Sequence, residues 1–93
     1  MKKKKPTEEE LEKLNVKSWG TWSKEKSTFD WSYDDTETFY VLEGEVEVTS
    51  KDGDEKIEFG KGDLVQMPKG LQCIWNVKKP IRKRYKFGDL DID

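Results

Sequence analysis

Ninety-three residues make one domain, and 18 Lys and Arg against 20 Asp and Glu leave a net charge of −2, which excludes the basic footprint of a nucleic-acid-binding surface. A single cysteine excludes an intrachain disulfide framework and fits a reducing, cytoplasmic setting. No apolar run approaches the roughly 20 residues that cross a bilayer, so no membrane partner is expected.

Residues 1–5, a methionine and four lysines, are expected to be a disordered basic tail, with one folded domain over residues 6–93. No apolar segment follows the lysines, as a signal peptide would require. Thr7, Glu8, Glu9 and Glu10 have the form of a capping box, and Leu11 and Leu14 supply a short apolar stripe. Together they predict a helix of about two turns docked on the domain edge. Residues 16–22 read as a strand pair or as one strand bulged at Gly20, because Trp19 and Trp22 cannot share a face of one straight strand. Phe29, Trp31 and Tyr33 alternate with polar residues and so face one side. After a turn at Asp34-Asp35, residues 36–42 predict a strand with Glu37, Phe39 and Val41 on one face and Thr38, Tyr40 and Leu42 on the other.

Val46 and Val48 then alternate strictly with Glu45, Glu47 and Thr49, and Asp52-Gly53 marks a hairpin into a second short strand. Gly60, Gly62 and Asp63 form a corner before Leu64 and Val65, and Pro68-Lys69-Gly70 forms another. Leu71, Cys73, Trp75 and Val77 share a strand face, and Lys78-Lys79-Pro80 reads as a turn. Residues 81–87 form a last strand whose Arg82-Lys83-Arg84 reads as a solvated face, and residues 88–93 are an acidic tail. Eight or nine short strands point to an all-β sandwich or barrel. Four Trp, three Tyr and four Phe supply its core, although hydrophobic residues make up only 32% of the chain.

Glu37 and Gly44 have the spacing E-x6-G, and Gly62, Pro68 and Gly70 fit G-x5-P-x-G, with Cys73 where a histidine would follow. These spacings resemble the two motifs of the cupin family, which implies a double-stranded β-helix, or jelly-roll barrel, with one short N-terminal helix ahead of it. Phe29-x-Trp31-x-Tyr33, Gly62-Asp63-Leu64-Val65 and Cys73-x-Trp75 look more narrowly like the small single-domain cupins grouped with the ureidoglycine aminohydrolase cupin domain. The usual cupin metal site takes two histidines, the motif glutamate and a second-motif histidine. This chain contains no histidine. The two positions of the first motif fall on Trp31 and Tyr33 or on Asp30 and Ser32, leaving Glu37 and Cys73 as the remaining donors. A transition-metal site takes three or four protein ligands, so no metal and no other cofactor is expected.

The resemblance and the residues together predict a ligand pocket built from Trp31, Tyr33, Glu37, Cys73 and Trp75, binding a small molecule without a metal. Glu37 in such a pocket could serve as an acid/base group, which makes a small-metabolite enzyme of the ureidoglycine aminohydrolase or isomerase kind the alternative. A degenerate or engineered cupin scaffold without activity is a third reading. Each residue also has a plainer role: a hydrogen-bonded carboxylate for Glu37, a small buried hydrophobe for Cys73, barrel filling for the rings. Serine and cysteine mechanisms that need a histidine are excluded. Cupins commonly pair through sheet edges, which implies a homodimer that Thr38, Tyr40 and Leu42 would join.

Overall fold

The computed structural model describes residues 1–92, and Asp93, the end of the acidic tail, lies outside them. Seven strands form: β1 (Lys2–Lys4), β2 (Gly20–Lys24), β3 (Ser27–Ser32), β4 (Glu37–Ser50), β5 (Lys56–Gly60), β6 (Leu64–Met67) and β7 (Gln72–Phe87). All the pairings are antiparallel. The main hydrogen-bonded order is β1-β6-β4-β7-β2, with β5 also on β4 and β3 also on β7.

Two long strands account for the architecture. The first part of β4 pairs with β6 and with the end of β7, from Glu37 opposite Phe87 to Val41 opposite Lys83. Its second part pairs with β5 and with the beginning of β7, where Val46 meets Val77 and Val48 meets Trp75. Between these stretches the register shifts three times, from Val41 to Val46. Such irregularities bend a ladder and raise its twist, so one pair of strands serves both halves of the jelly roll. Gly44 lies in the bend at φ 111°, and a Cβ there would lie 2.5 Å from the Pro80 carbonyl oxygen. Only glycine combines that backbone conformation with so close an approach.

Several expectations change here. Residues 1–5 do not form a disordered tail: Lys2, Lys3 and Lys4 pair with Gln66, Val65 and Leu64 as an edge strand. The strands number seven among the described residues because β4 and β7 each run through a point read as a break. Lys78, Lys79 and Pro80 are strand residues, not a turn. Pro80 is tolerated because it sits in the irregular stretch, where the ladder is already interrupted. Residues 16–18 form a 3₁₀ turn, and Gly20 opens β2 in register with Tyr85 without a bulge. Its bare Cα lets the Tyr85 ring pass, since a Cβ would lie 2.8 Å from Tyr85 Cζ.

Helix α1 (Glu8–Lys13) carries the predicted capping box: Glu10 N donates to Thr7 Oγ1 at 3.1 Å, and Thr7 N donates to Glu10 Oε1 at 3.1 Å. Leu11 and Leu14 pack against a small cluster of Val16, Trp19, Leu64 and Ile92. Tyr40 joins this cluster, and Thr38 is fully buried with its hydroxyl accepting from Gln66 Nε2 at 3.0 Å. Of the three residues assigned to a dimer face, Thr38 is thus buried against β6 and Tyr40 packs on the chain's own terminal segments. The main core lies between the sheet halves, from Phe39, Val41, Val46 and Val48 to Val65, Met67, Trp75 and Ile81.

Candidate functional site

Strand parity builds the site. Glu37, Phe39 and Val41 point inward from β4; Trp75, Val77, Ile81, Lys83 and Tyr85 do so from β7. Lys83 is opposite Val41 and Glu37 is opposite Phe87, so the two charged residues stand four positions apart on neighbouring strands. Between them lies the inward ring of Phe39. The Lys83 side chain crosses that ring, with Nζ 4.1 Å from its centroid, and donates to Glu37 Oε2. Only 5% of Lys83 and 4% of Glu37 is exposed, so both charges are withdrawn from bulk water.

Aromatic rings surround this pair. Lys83 Nζ lies 5.1 Å from the ring centroids of both Trp22 and Trp75 and 6.0 Å from that of Tyr85. Ring faces carry negative potential and attract a cation, which partly replaces the lost hydration. Trp75 is the hub of the wall. It stacks on Phe29 at 6.0 Å and meets Trp22, Phe39 and Phe59 at 5.9, 5.8 and 5.5 Å. Burial holds the Lys83 ammonium below the usual lysine range, and the neighbouring Glu37 carboxylate opposes that shift.

A cavity of about 190 Å³ opens beside the pair. Glu37 and Lys83 line it together with Trp22, Phe29, Trp75 and Tyr85, and Trp31 and Phe87 complete the lining. The last two are 43% and 53% exposed and form the rim. At about 30 Å³ per water, the space equals roughly six waters.

Of the predicted pocket residues, Glu37, Trp31 and Trp75 come together at this cavity; Tyr33 and Cys73 do not line it. Tyr33 is 3% exposed and packed in the core just after β3 ends. Its phenol is pushed far up, first by burial and then by Glu37 and Cys73, with the Trp75 indole opposing. The indole is near enough to act electrostatically, yet neither Tyr33 Oη nor Trp75 Nε1 finds a partner in hydrogen-bonding geometry. Cys73 is fully buried opposite Trp31 on β3, and its thiol donates to the Trp31 carbonyl at 3.7 Å. Burial pushes this thiol up, which favours its protonated form. Among the described residues no three His, Cys, Asp or Glu side chains form a cluster able to hold a metal, and Glu37 is committed to an ammonium. The donor set does not fit the metal that the cupin resemblance would imply.

Lys83 is the main residue missed from the sequence. In the sequence the basic run Arg82-Lys83-Arg84 reads as a solvated face on account of its charge. Carrying the odd positions from Cys73, Trp75 and Val77 on through Ile81 puts Lys83 and Tyr85 inward, as observed. The flanking Arg82 is exposed and paired with Glu43 at 2.7 Å.

A jelly roll closed by two long bent strands, with the first-motif glutamate facing an aromatic interior cavity, is a cupin barrel. The EutQ-like cupin domain family matches residues 11–85, and the chain belongs to that family. Among solved structures it is similar to a DUF861 family protein from Thermotoga maritima, with 54% identity and a TM-score of 0.91 over 94% of this chain and 98% of that one. It is also similar to the EutQ protein of Clostridium difficile, with 26% identity and a TM-score of 0.66 over 77% of this chain and 56% of that one. A putative ethanolamine utilization protein Q from Salmonella typhimurium gives 28% identity and a TM-score of 0.65 over 73% and 54%. The chain thus spans about half the length of the EutQ proteins it matches. No functionally curated protein matches it. The match supports the EutQ-like cupin family, and the narrower ureidoglycine aminohydrolase resemblance is not confirmed by it.

Proposed function

We propose that this cupin binds a small, largely apolar molecule in the Glu37–Lys83 cavity without a resident metal. One observation carries the reading: a buried ion pair borders a cavity otherwise walled by rings. Sites for small molecules combine apolar walls with a few fixed polar groups. The two charges cancel, which favours a neutral ligand with one polar group directed at the pair and its apolar body against Trp22, Phe29 and Trp75. The exposed rings of Trp31 and Phe87 mark the way in.

Three of the four tryptophans line the cavity, so their fluorescence reports directly on occupancy. Titration with benzyl alcohol and benzamide is expected to give saturable quenching that Trp22→Ala abolishes, and benzoate is expected to bind more weakly than benzamide. A linear response to every probe, unchanged in Trp22→Ala, would overturn the reading. The ureidoglycine aminohydrolase or isomerase activity implied by the narrower resemblance is the second reading. What favours it is the Glu37–Lys83 contact, which joins a proton donor to an acceptor at the cavity.

A further inference from the structure

We infer that Lys83 is an imine-forming lysine, and that the cavity takes small uncharged aldehydes or ketones that condense with its ε-amine. The inference rests on the small-molecule reading of this cavity and names the ligand chemistry. It begins from position: Nζ lies inside the barrel, borders the cavity, and has Glu37 as its one hydrogen-bond partner among the described residues. The other contacts of the amine are ring faces, which accept no proton. An amine in such surroundings is a nucleophile whenever it is neutral, and desolvation favours the neutral form.

The neighbouring carboxylate closes the proton balance. Lys83 first gives a proton to Glu37, so that two charges become an amine and a carboxylic acid. The nitrogen lone pair then attacks the carbonyl carbon; a C–N bond forms and the C=O π bond breaks. A proton passes from nitrogen to the carbonyl oxygen, giving a carbinolamine. The Glu37 acid protonates the hydroxyl, which leaves as water as the C=N bond forms. The net change is ammonium plus carbonyl compound giving iminium plus water, with Glu37 again a carboxylate beside a cation. No oxidant or reductant is consumed. Among the described residues Glu37 and Lys83 are the only charged groups in the cavity lining, so a carboxylate on the ligand, as in a 2-oxo acid, would compete with Glu37 for the one cation.

The test uses the intact protein, benzaldehyde as probe, and cyanoborohydride to reduce any imine to a stable secondary amine mapped by peptide mass spectrometry. Lys83 is expected to be captured at least ten-fold faster than the exposed Lys79 at neutral pH, with pyruvate giving much less capture at Lys83. Capture at Lys83 is also expected to begin at lower pH than at Lys79. Lys83→Arg keeps a cation that cannot condense, so the site-specific adduct should vanish while surface labelling persists. Uniform labelling of lysines, or none at Lys83, overturns the inference. If benzamide still quenches the cavity tryptophans in that case, imine chemistry falls alone; if it does not, the binding reading falls with it.

Discussion

A lysine and a glutamate withdrawn from water are costly unless paired, and here each is the other's ionic partner inside the barrel. Lys83→Met leaves the Glu37 carboxylate without its cation and is expected to cost about 3–5 kcal/mol in urea titration. Lys83→Met combined with Glu37→Leu replaces both charges with apolar groups of similar size and should recover most of that loss. Costs of Lys83→Met and Glu37→Leu that simply add in the double variant would show that the pair does not interact. The pH dependence has a definite sign. Burial lowers the Lys83 value in the folded chain, against the opposing pull of Glu37. Between that lowered value and the unfolded lysine value of about 10.4, the unfolded chain holds a proton that the folded chain has released. Stability therefore rises with pH across this window. The difference between the parent and the double variant is expected to grow in the parent's favour on the alkaline side, up to pH about 10.4. A flat difference would place the folded value at the ordinary one.

At the scale of single elements, what the sequence reveals depends on where a strand stops. The capping box of α1, the hairpin at Asp52-Gly53 and the inward face of Glu37, Phe39 and Val41 were readable, because each rests on contacts within a few residues in sequence. The continuity of β7 was not, because Pro80 carries a strong local signal for a break and the compensating irregularity lies on β4, more than thirty residues away in sequence. Lys83 reads outward because it sits in a run of three basic residues, and its inward parity is legible only once β7 is known to continue through Pro80. The same long-range coupling hid the fate of Tyr33: alternation gave it the face of Trp31, but β3 ends at Ser32 and the chain carries Tyr33 into the core. The crossing of Gly44 and Pro80 is where the bend is made, and it is sensitive to volume. Gly44→Ala would bring a methyl group to 2.5 Å from the Pro80 carbonyl in a backbone conformation that disfavours side chains. A loss of about 2 kcal/mol or more is expected, read as a lower urea midpoint with an unchanged slope. A midpoint within experimental error of the parent's would mean that the two strands can separate there at little cost.

For the whole molecule, the 93-residue barrel has sheet edges at which copies of the chain could pair, and β1 lies along one of them. An uncovered edge strand presents free N–H and C=O groups to any similar strand, and lysines on the edge are a common defence. Here β1 carries such lysines at the sheet edge. It pairs with β6, whose Leu64, Val65 and Met67 are buried, and it turns Lys2 and Lys3 outward as exposed cations. Lys4 pairs with Glu10 of α1, and Lys5 meets Asp63 at 2.9 Å, so the strand is tied to both the helix and the barrel corner. The lysine run read from the sequence as a disordered tail is thus an edge cover whose charge suits its position. Deleting residues 1–5 would leave β6 as a short apolar edge with one row of unpaired backbone groups. The truncated protein is expected to show a concentration-dependent rise in mass above the 11.0 kDa monomer in light scattering, while the parent shows a smaller rise over the same range. Restoring residues 1–5 with the lysines changed to threonine separates the two contributions. If that chain associates as readily as the truncated one, charge is what protects the edge; if it behaves as the parent, backbone pairing alone suffices. An identical mass profile for parent and truncated chains would mean that β1 does not guard the edge, and that any contact between copies forms elsewhere.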